Sequence, residues 1–271
     1  ILIFAGFSFW LAVFPFFNWI ALLMQASCPF ASGFVVCLLQ FSSLFILLQF
    51  LNDYLWLRTY APFFHALRLA GIMMLFIGAV WALFQKDLQR MMAFIITAEN
   101  GVSILLIGMN TGEGINTFLS GLFIHSVAWL IWGTSVKFMS DDTDLSINSL
   151  QGFAHSHPVV SAALLLSYFT VSGMPLLAGF DLRMSLLSSC FAYSSALGWS
   201  AAIASGILVF GGLRLMFVFL APAPEAAESL MPQDEQTRYE VLMRRILLIS
   251  LMALLVLIGF FPSLMDIFIS G

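Results

Sequence analysis

Three places in this chain set ionisable side chains within or against long apolar runs: Glu99, His125, and the pair Asp181 and Arg183. Such groups are costly inside a bilayer and usually functional there. Glu99 stands nine residues after Arg90, in Thr97-Ala98-Glu99-Asn100-Gly101. At about 1.5 Å per helical residue it falls near mid-bilayer. One reading is a protonated carboxyl bonded to a neighbouring helix. The other is a proton carrier, because a carboxyl withdrawn from water holds its proton more readily. His125, in Phe123-Ile124-His125-Ser126, shows the same two faces. An imidazole can shuttle protons near neutral pH, or it can bond across helices beside Ser120, Ser126 and Thr134. Asp181 and Arg183 follow Gly173 and Pro175, which break helices. A broken helix at membrane depth marks ion sites in transporters. An ordinary surface loop between two spans fits the same residues.

The elements that position these groups read as membrane spans at about 1–24, 30–51, 69–84, 91–109, 115–139, 158–180, 184–220 and 243–262. A crossing needs roughly 20 apolar residues, so 184–220 is long enough to break, with Gly198 the expected place. Eight or nine crossings result. The runs are uniformly apolar, and helices satisfy their own backbone where water is absent. Segments 52–68, 86–90, 140–157 and 221–241 read as extramembrane connections, the last of them acidic and Pro-rich. Trp10, Trp19, Tyr54, Trp56 and Tyr60 near span ends suit interfacial anchoring. Lys and Arg divide almost evenly between alternate loops, so the charge rule sets no orientation at this level. The chain begins on Ile1 within an apolar run, without a signal-peptide pattern, and reads as a fragment or a chain cleaved at its start.

Composition supports this class. Apolar residues make up 61% of the chain, charged residues 9%, and mean hydropathy is +1.02. Soluble domains run near 45–50% apolar and about 25% charged. Soluble enzymes, nucleic-acid binders and disordered tails are excluded. Net charge is −4, which provides no basic field for nucleic acid. Cys28, Cys37 and Cys190 match no metal spacing and read as small buried hydrophobes.

Several motifs stand in a familiar order. Phe14-Pro15-Phe16-Phe17-Asn18-Trp19, then Pro29-Phe30-Ala31-Ser32, resemble F-P-x-H-x-W followed by P-T-x-x-S. Asp87-Leu88-Gln89-Arg90-Met91-Met92-Ala93-Phe94 resembles D-L-K-R-x-x-A-Y. Gly121 to Gly133 around His125 is similar to an H-A-x-x-K helix. Ser172-Gly173-Met174-Pro175-Leu176-Leu177-Ala178-Gly179-Phe180 is similar to S-L-x-G-x-P-P-x-x-G-F, and Arg214-Leu215-Met216-Phe217 to R-L-x-F. Together these resemble the antiporter-like, proton-conducting membrane subunits of complex I (chains L, M and N of NADH-quinone oxidoreductase). Relatives in membrane-bound hydrogenases, formate hydrogenlyase and Mrp antiporters look similar. The likeness covers most of residues 7 to 220. The helices that precede F-P-x-H-x-W in the family have no counterpart here, including the one with the family's key glutamate.

The resemblance implies an all-α polytopic fold, a single membrane domain over 1–271 like the C-terminal part of such a subunit. It implies two discontinuous helices, near 30–51 and near 172–184. It also implies a proton line of lysines, histidines and glutamates, from which this chain departs. The family lysines fall at Ser42, Gln89 and Trp129, the motif histidine at Phe17, and the last relay residue at Arg183, which cannot release its proton. His125 and Glu99 remain as relay candidates. The expected function is a membrane-arm subunit of a complex I-like or related energy-converting complex, supporting proton translocation at complex level, with its own path degenerate. It would be a non-redox subunit with no cofactor of its own, since no haem, iron–sulfur, flavin or nucleotide motif is present. Its partners would be other membrane subunits and lipids. Its place would be a bacterial inner membrane or, second, an organellar energy-converting membrane. The alternatives are an autonomous cation/proton antiporter and a purely structural spacer. Two contacts are expected: Glu99 meeting His125 across the short 110–114 link, and Arg183 neutralised by Asp181 or by carbonyls freed at Gly173 to Gly179.

Overall fold

The computed structural model describes residues 2–13, 15–142, 144–222 and 235–260. They are almost entirely helical. Helices run over Leu2–Trp10 (α1), Asn18–Ala26 (α2), Pro29–Asp53 (α3), Leu55–Arg58 (α4), Ala61–Phe84 (α5), Leu88–Met109 (α6), Gly112–Asp142 (α7), Phe153–Ser156 (α8), Pro158–Ser172 (α9), Gly179–Tyr193 (α10), Ser195–Leu220 (α11) and Glu235–Phe260 (α12). Six of these, α3, α5, α6, α7, α11 and α12, are long and apolar enough to cross a membrane. Two interrupted spans, α1 with α2 and α9 with α10, stand beside them. The polytopic helical class expected from sequence is thus the architecture observed.

Several boundaries differ from the sequence reading, each for a local reason. α3 runs unbroken for 25 residues, so the interruption expected near 30–51 is not there. Ser32 and Ser43 direct their hydroxyls onto the Pro29 and Leu39 carbonyls of their own helix, so they call for no break to find partners. The first interruption lies upstream, in 11–17, where Pro15 lacks an amide hydrogen and Ala12 takes φ +57°. α5 begins at Ala61 with Pro62 in its first turn, so His65 and Arg68 are helical rather than looped. The break expected at Gly198 falls at Ser194, whose hydroxyl caps α11 by accepting from Leu197 N at 3.2 Å. Gly198 serves packing instead, giving room to the Phe191 ring. α7 extends to Asp142 and α12 already starts at Glu235, shortening the connections expected over 140–157 and 221–241. Most of the second connection lies outside the described residues.

α6 is the axis of the bundle, with nearly every side chain buried. Its start is capped by Asp87, which accepts from Arg90 N at 2.9 Å, and its end by Asn110 in the left-handed region. It packs on α5 through small residues. A Cβ at Gly78 would stand 2.7 Å from Ala98 N, so the two backbones touch directly. Such close approach is how helices associate where no hydrophobic force separates protein from solvent.

The ends of the helices sort the basic residues onto two faces. Ile147 N donates to Lys86 O at 2.8 Å, Gly152 N to Val218 O at 3.2 Å, and Arg214 Nη1 to Gln85 O at 3.1 Å. Arg244 reaches Asp141 at 3.7 Å. One face therefore collects Lys86, Arg90, Lys137, Arg214, Arg244 and Arg245. The opposite face holds Arg58 and Arg68, where Arg68 Nη1 donates to Gly108 O at 2.7 Å. The even division expected from sequence came from treating 184–220 as one run of undecided crossings. Because α9 and α10 form one interrupted span and α11 the next, the basic start of α12 joins the first face. Excess Lys and Arg marks the cytoplasmic side or its organellar equivalent. In a background with Cys28 replaced by Ser, a membrane-impermeant thiol reagent applied from outside is expected to label Thr59→Cys and to spare Asn148→Cys until the membrane is opened. The reverse pattern would invert the assignment.

Candidate functional site: a buried carboxylate between arginine and histidine

The break between α9 and α10 begins as a helix C-terminus in a Schellman arrangement. Gly173 takes φ +76°, its N–H donates to Thr170 O at 3.2 Å, and Met174 N donates to Phe169 O at 3.0 Å. That leaves the Val171 carbonyl without a backbone donor. Arg183, in the second turn of α10, donates to it from Nη2 at 2.8 Å. The same Nη2 donates to Glu99 Oε1 of α6. Glu99 Oε2 lies 3.4 Å from His125 Nε2 on α7. One carboxylate from α6 is thus held between a guanidinium from α10 and an imidazole from α7.

All three groups are withdrawn from solvent: Glu99 is 4% exposed, Arg183 5% and His125 8%. Each comes from the middle of its span. An arginine at the centre of a helix costs about +2.5 to +3.5 kcal/mol on insertion scales, and this one is neutralised by Glu99. Arg183 cannot change protonation, so only Glu99 and His125 can exchange a proton here. Oε2 and Nε2 stand 3.4 Å apart, close but not hydrogen-bonded, while Oε1 stays with the arginine. Glu99 Oε2 and Arg183 Nη1 have no hydrogen-bond partner among the described residues.

The expected approach of Glu99 to His125 is therefore present. The expected pairing of Asp181 with Arg183 is not, because Asp181 is exposed in the first turn of α10 and Glu99 takes the arginine instead. The carbonyl that helps is Val171, just before the segment 173–179. Asp181 and Arg183 stand two positions apart on a helix, which turns them to different faces. The positions of the replaced lysines do not converge. Trp129 is buried one turn from His125 and packs edge-on against Trp132, ring centres 6.4 Å apart. Gln89 is buried at the far end of α6, where Nε2 donates to Ser27 O at 3.2 Å. Ser42 lies on the exposed face of α3.

Sequence reasoning overlooked the polar side chains beside this site. Gln40 and Asn100 are buried at the same depth and bonded to each other, Asn100 Nδ2 donating to Gln40 Oε1 at 2.8 Å. An amide in mid-span is a signal in its own right, because it too needs a partner in hydrocarbon. Attention to ionisable groups alone passed over it. Thr97, Ser103 and Ser126 hydroxyls donate to carbonyls one turn back on their own helices, so they serve the backbone.

Residues 1–209 match a protein family described as NADH:quinone oxidoreductase/Mrp antiporter, transmembrane. A similar protein is NADH-quinone oxidoreductase subunit N 2 of Acidobacterium capsulatum, 25% identical over 98% of this chain and 55% of the relative. The fold is similar to a chain in the Mrp complex from Dietzia sp. (TM-score 0.79, 14% identity, 95% of this chain and 55% of that one). It is similar also to a chain in respiratory complex I from Thermus thermophilus with bound NADH (TM-score 0.75, 20% identity, 96% and 54%). This chain spans about half the length of the relatives it matches across its whole extent.

Proposed function

We propose a function from one premise: the chain belongs to the NADH:quinone oxidoreductase/Mrp antiporter transmembrane family. It works as a membrane-arm subunit of an energy-converting complex, a complex I-like NADH-quinone oxidoreductase or a relative of it. It packs against other membrane subunits and lipid and supports proton translocation at the level of the complex. Redox chemistry belongs to other subunits. The membrane is a bacterial inner membrane or an organellar counterpart.

One observation carries the reading: Glu99, held at mid-depth between Arg183 and His125 beside a broken helix. A proton reaching this site resides on Glu99 Oε2 or His125 Nε2, which stand 3.4 Å apart. The fixed charge of Arg183 makes the site neutral without that proton and positive with it. The site thus couples a proton to local charge next to an interrupted helix, whose loose backbone can respond. It is one station and not a complete wire, because Arg183 cannot pass a proton on and Trp129 fills the next turn beyond His125.

Glu99→Gln separates this from the spacer reading. Glutamine keeps the shape and still accepts from Arg183, but it carries no proton. Proton pumping by the assembled complex is expected to fall while assembly stays normal. Unchanged pumping with intact assembly would reduce Glu99 to a structural partner of Arg183. An autonomous antiporter would instead show cation-coupled proton exchange by the protein without companion subunits.

A further inference from the structure

Gln40 and Asn100 form an amide bridge from the Glu99 region to the other broken helix. Gln40, on α3, is 1% exposed, and Asn100, next to Glu99 on α6, is 4% exposed. Gln40 Nε2 donates to the carbonyl of Trp10 at 3.1 Å, and Trp10 is the last residue of α1, where the first interruption starts. Asn100 Nδ2 donates to Gln40 Oε1 at 2.8 Å. The two interruptions are thereby tied to adjacent residues of one helix. Val171 O is reached through Arg183 and Glu99, and Trp10 O through Gln40 and Asn100.

The chemistry of the two ties differs. A backbone carbonyl can only accept, so Gln40 must turn its NH2 group towards Trp10. That leaves its oxygen facing Asn100, which must donate. Both amides are locked in one direction by the carbonyl at the end of the line. A proton hop along hydrogen bonds needs each member to take a proton on one side and release one on the other. An amide nitrogen has no free lone pair for this, and near neutral pH the amide oxygen does not hold a proton. A water or a carboxyl at either place would conduct. The buried hydroxyl one turn further along α3, Ser43, is committed to Leu39 O at 2.6 Å and offers no detour.

We propose that Gln40 and Asn100 insulate the Glu99 site against the α1–α2 interruption, holding the Trp10 carbonyl at the end of α1 without a group that can pass a proton. Glu99 and His125 then exchange protons only from the α7, α9 and α10 side. This rests on the reading of Glu99 as a proton-holding group.

The test uses the protein with its copurifying subunits in liposomes, with a pH step and a trapped dye reporting passive proton flux. Gln40→Glu is expected to raise flux several-fold over wild type, and adding Glu99→Gln to it is expected to return flux to the wild-type level. Asn100→Asp, nearly isosteric, serves as the second opening variant where Gln40→Glu fails to assemble. Gln40→Met, which cannot conduct, is expected to leave flux unchanged. Wild-type flux in both assembled carboxyl variants would overturn the insulation, as would lower flux in Gln40→Met, which would make the amides carriers. A raised flux that survives Glu99→Gln would show a leak independent of Glu99 and would also overturn it. Failure of the underlying reading is seen separately, as unchanged pumping in Glu99→Gln alone.

Discussion

Replacing Glu99 with leucine is expected to destabilise the protein by about 3–5 kcal/mol, the cost of stripping a buried charge of its partner. Arg183 would keep only the Val171 carbonyl at 2.8 Å and would stay charged, because a guanidinium does not deprotonate in proteins. Among the described residues the bundle around it offers no second buried carboxylate, since Asp181 is exposed on another face of α10. The measure is the midpoint of reversible unfolding in mild detergent. Glu99→Leu with Arg183→Leu removes both charges, and replacing a buried pair by apolar residues is often neutral. The double variant is therefore expected to recover most of the loss. A double variant as unstable as the sum of the singles would mean that the two side chains act independently.

Gly179→Ala is expected to be the most damaging small substitution, about 3 kcal/mol or more, at the upper end of overpacking costs. A Cβ there would fall far inside contact distance of the Thr170 carbonyl, which belongs to the backbone of α9 and cannot rotate away. The start of α10 would be pushed off the end of α9, and Arg183 with it. Gly206 in α11 is the control: nothing stands within 4 Å of its added Cβ. Alanine there is expected to gain roughly 0.5–1 kcal/mol from helix propensity. The same unfolding assay, with pumping measured alongside, reads both. A Gly179→Ala protein as stable as wild type would show that the two half-helices do not meet at this carbonyl.

The interruption at 173–178 was legible because its causes are local. Gly173 and Pro175 act on their own backbone and need no distant partner. The first interruption was misplaced by one span. Within 11–17 the breakers are Pro15 and a positive φ at Ala12, and alanine gives no sequence signal for that conformation. Glu99 and His125 could be brought together from sequence because a short link joins two helices and both residues lie eleven positions from it. That argument uses only the rise per residue. It does not extend to Arg183, which is 84 positions from Glu99. Cost arguments require a buried arginine to have a partner, and the nearest acidic residue in sequence, Asp181, was the natural candidate. It is the wrong one, since helical geometry turns residues two apart to different faces.

By itself the sequence determined the class: long apolar runs with few charges leave helices in a bilayer as the only way to satisfy the backbone. It also carries local signals that bound three of the helices, Pro62 for α5, Asp87 and Asn110 for α6 and Gly173 for α9, because caps and breakers act within one turn. Its ordered motifs pointed to the family. Only the tertiary structure decided that Glu99 neutralises Arg183, that Gln40 and Asn100 close on Trp10, and that six described basic residues share one face. Each of these depends on which helix lies beside which. In the membrane a polar group must find some partner, but hydrocarbon is equally indifferent to every apolar face, so hydropathy does not say which. That choice is made by close packing of backbones at glycines such as Gly78 and Gly179, where shape rather than polarity selects the neighbour.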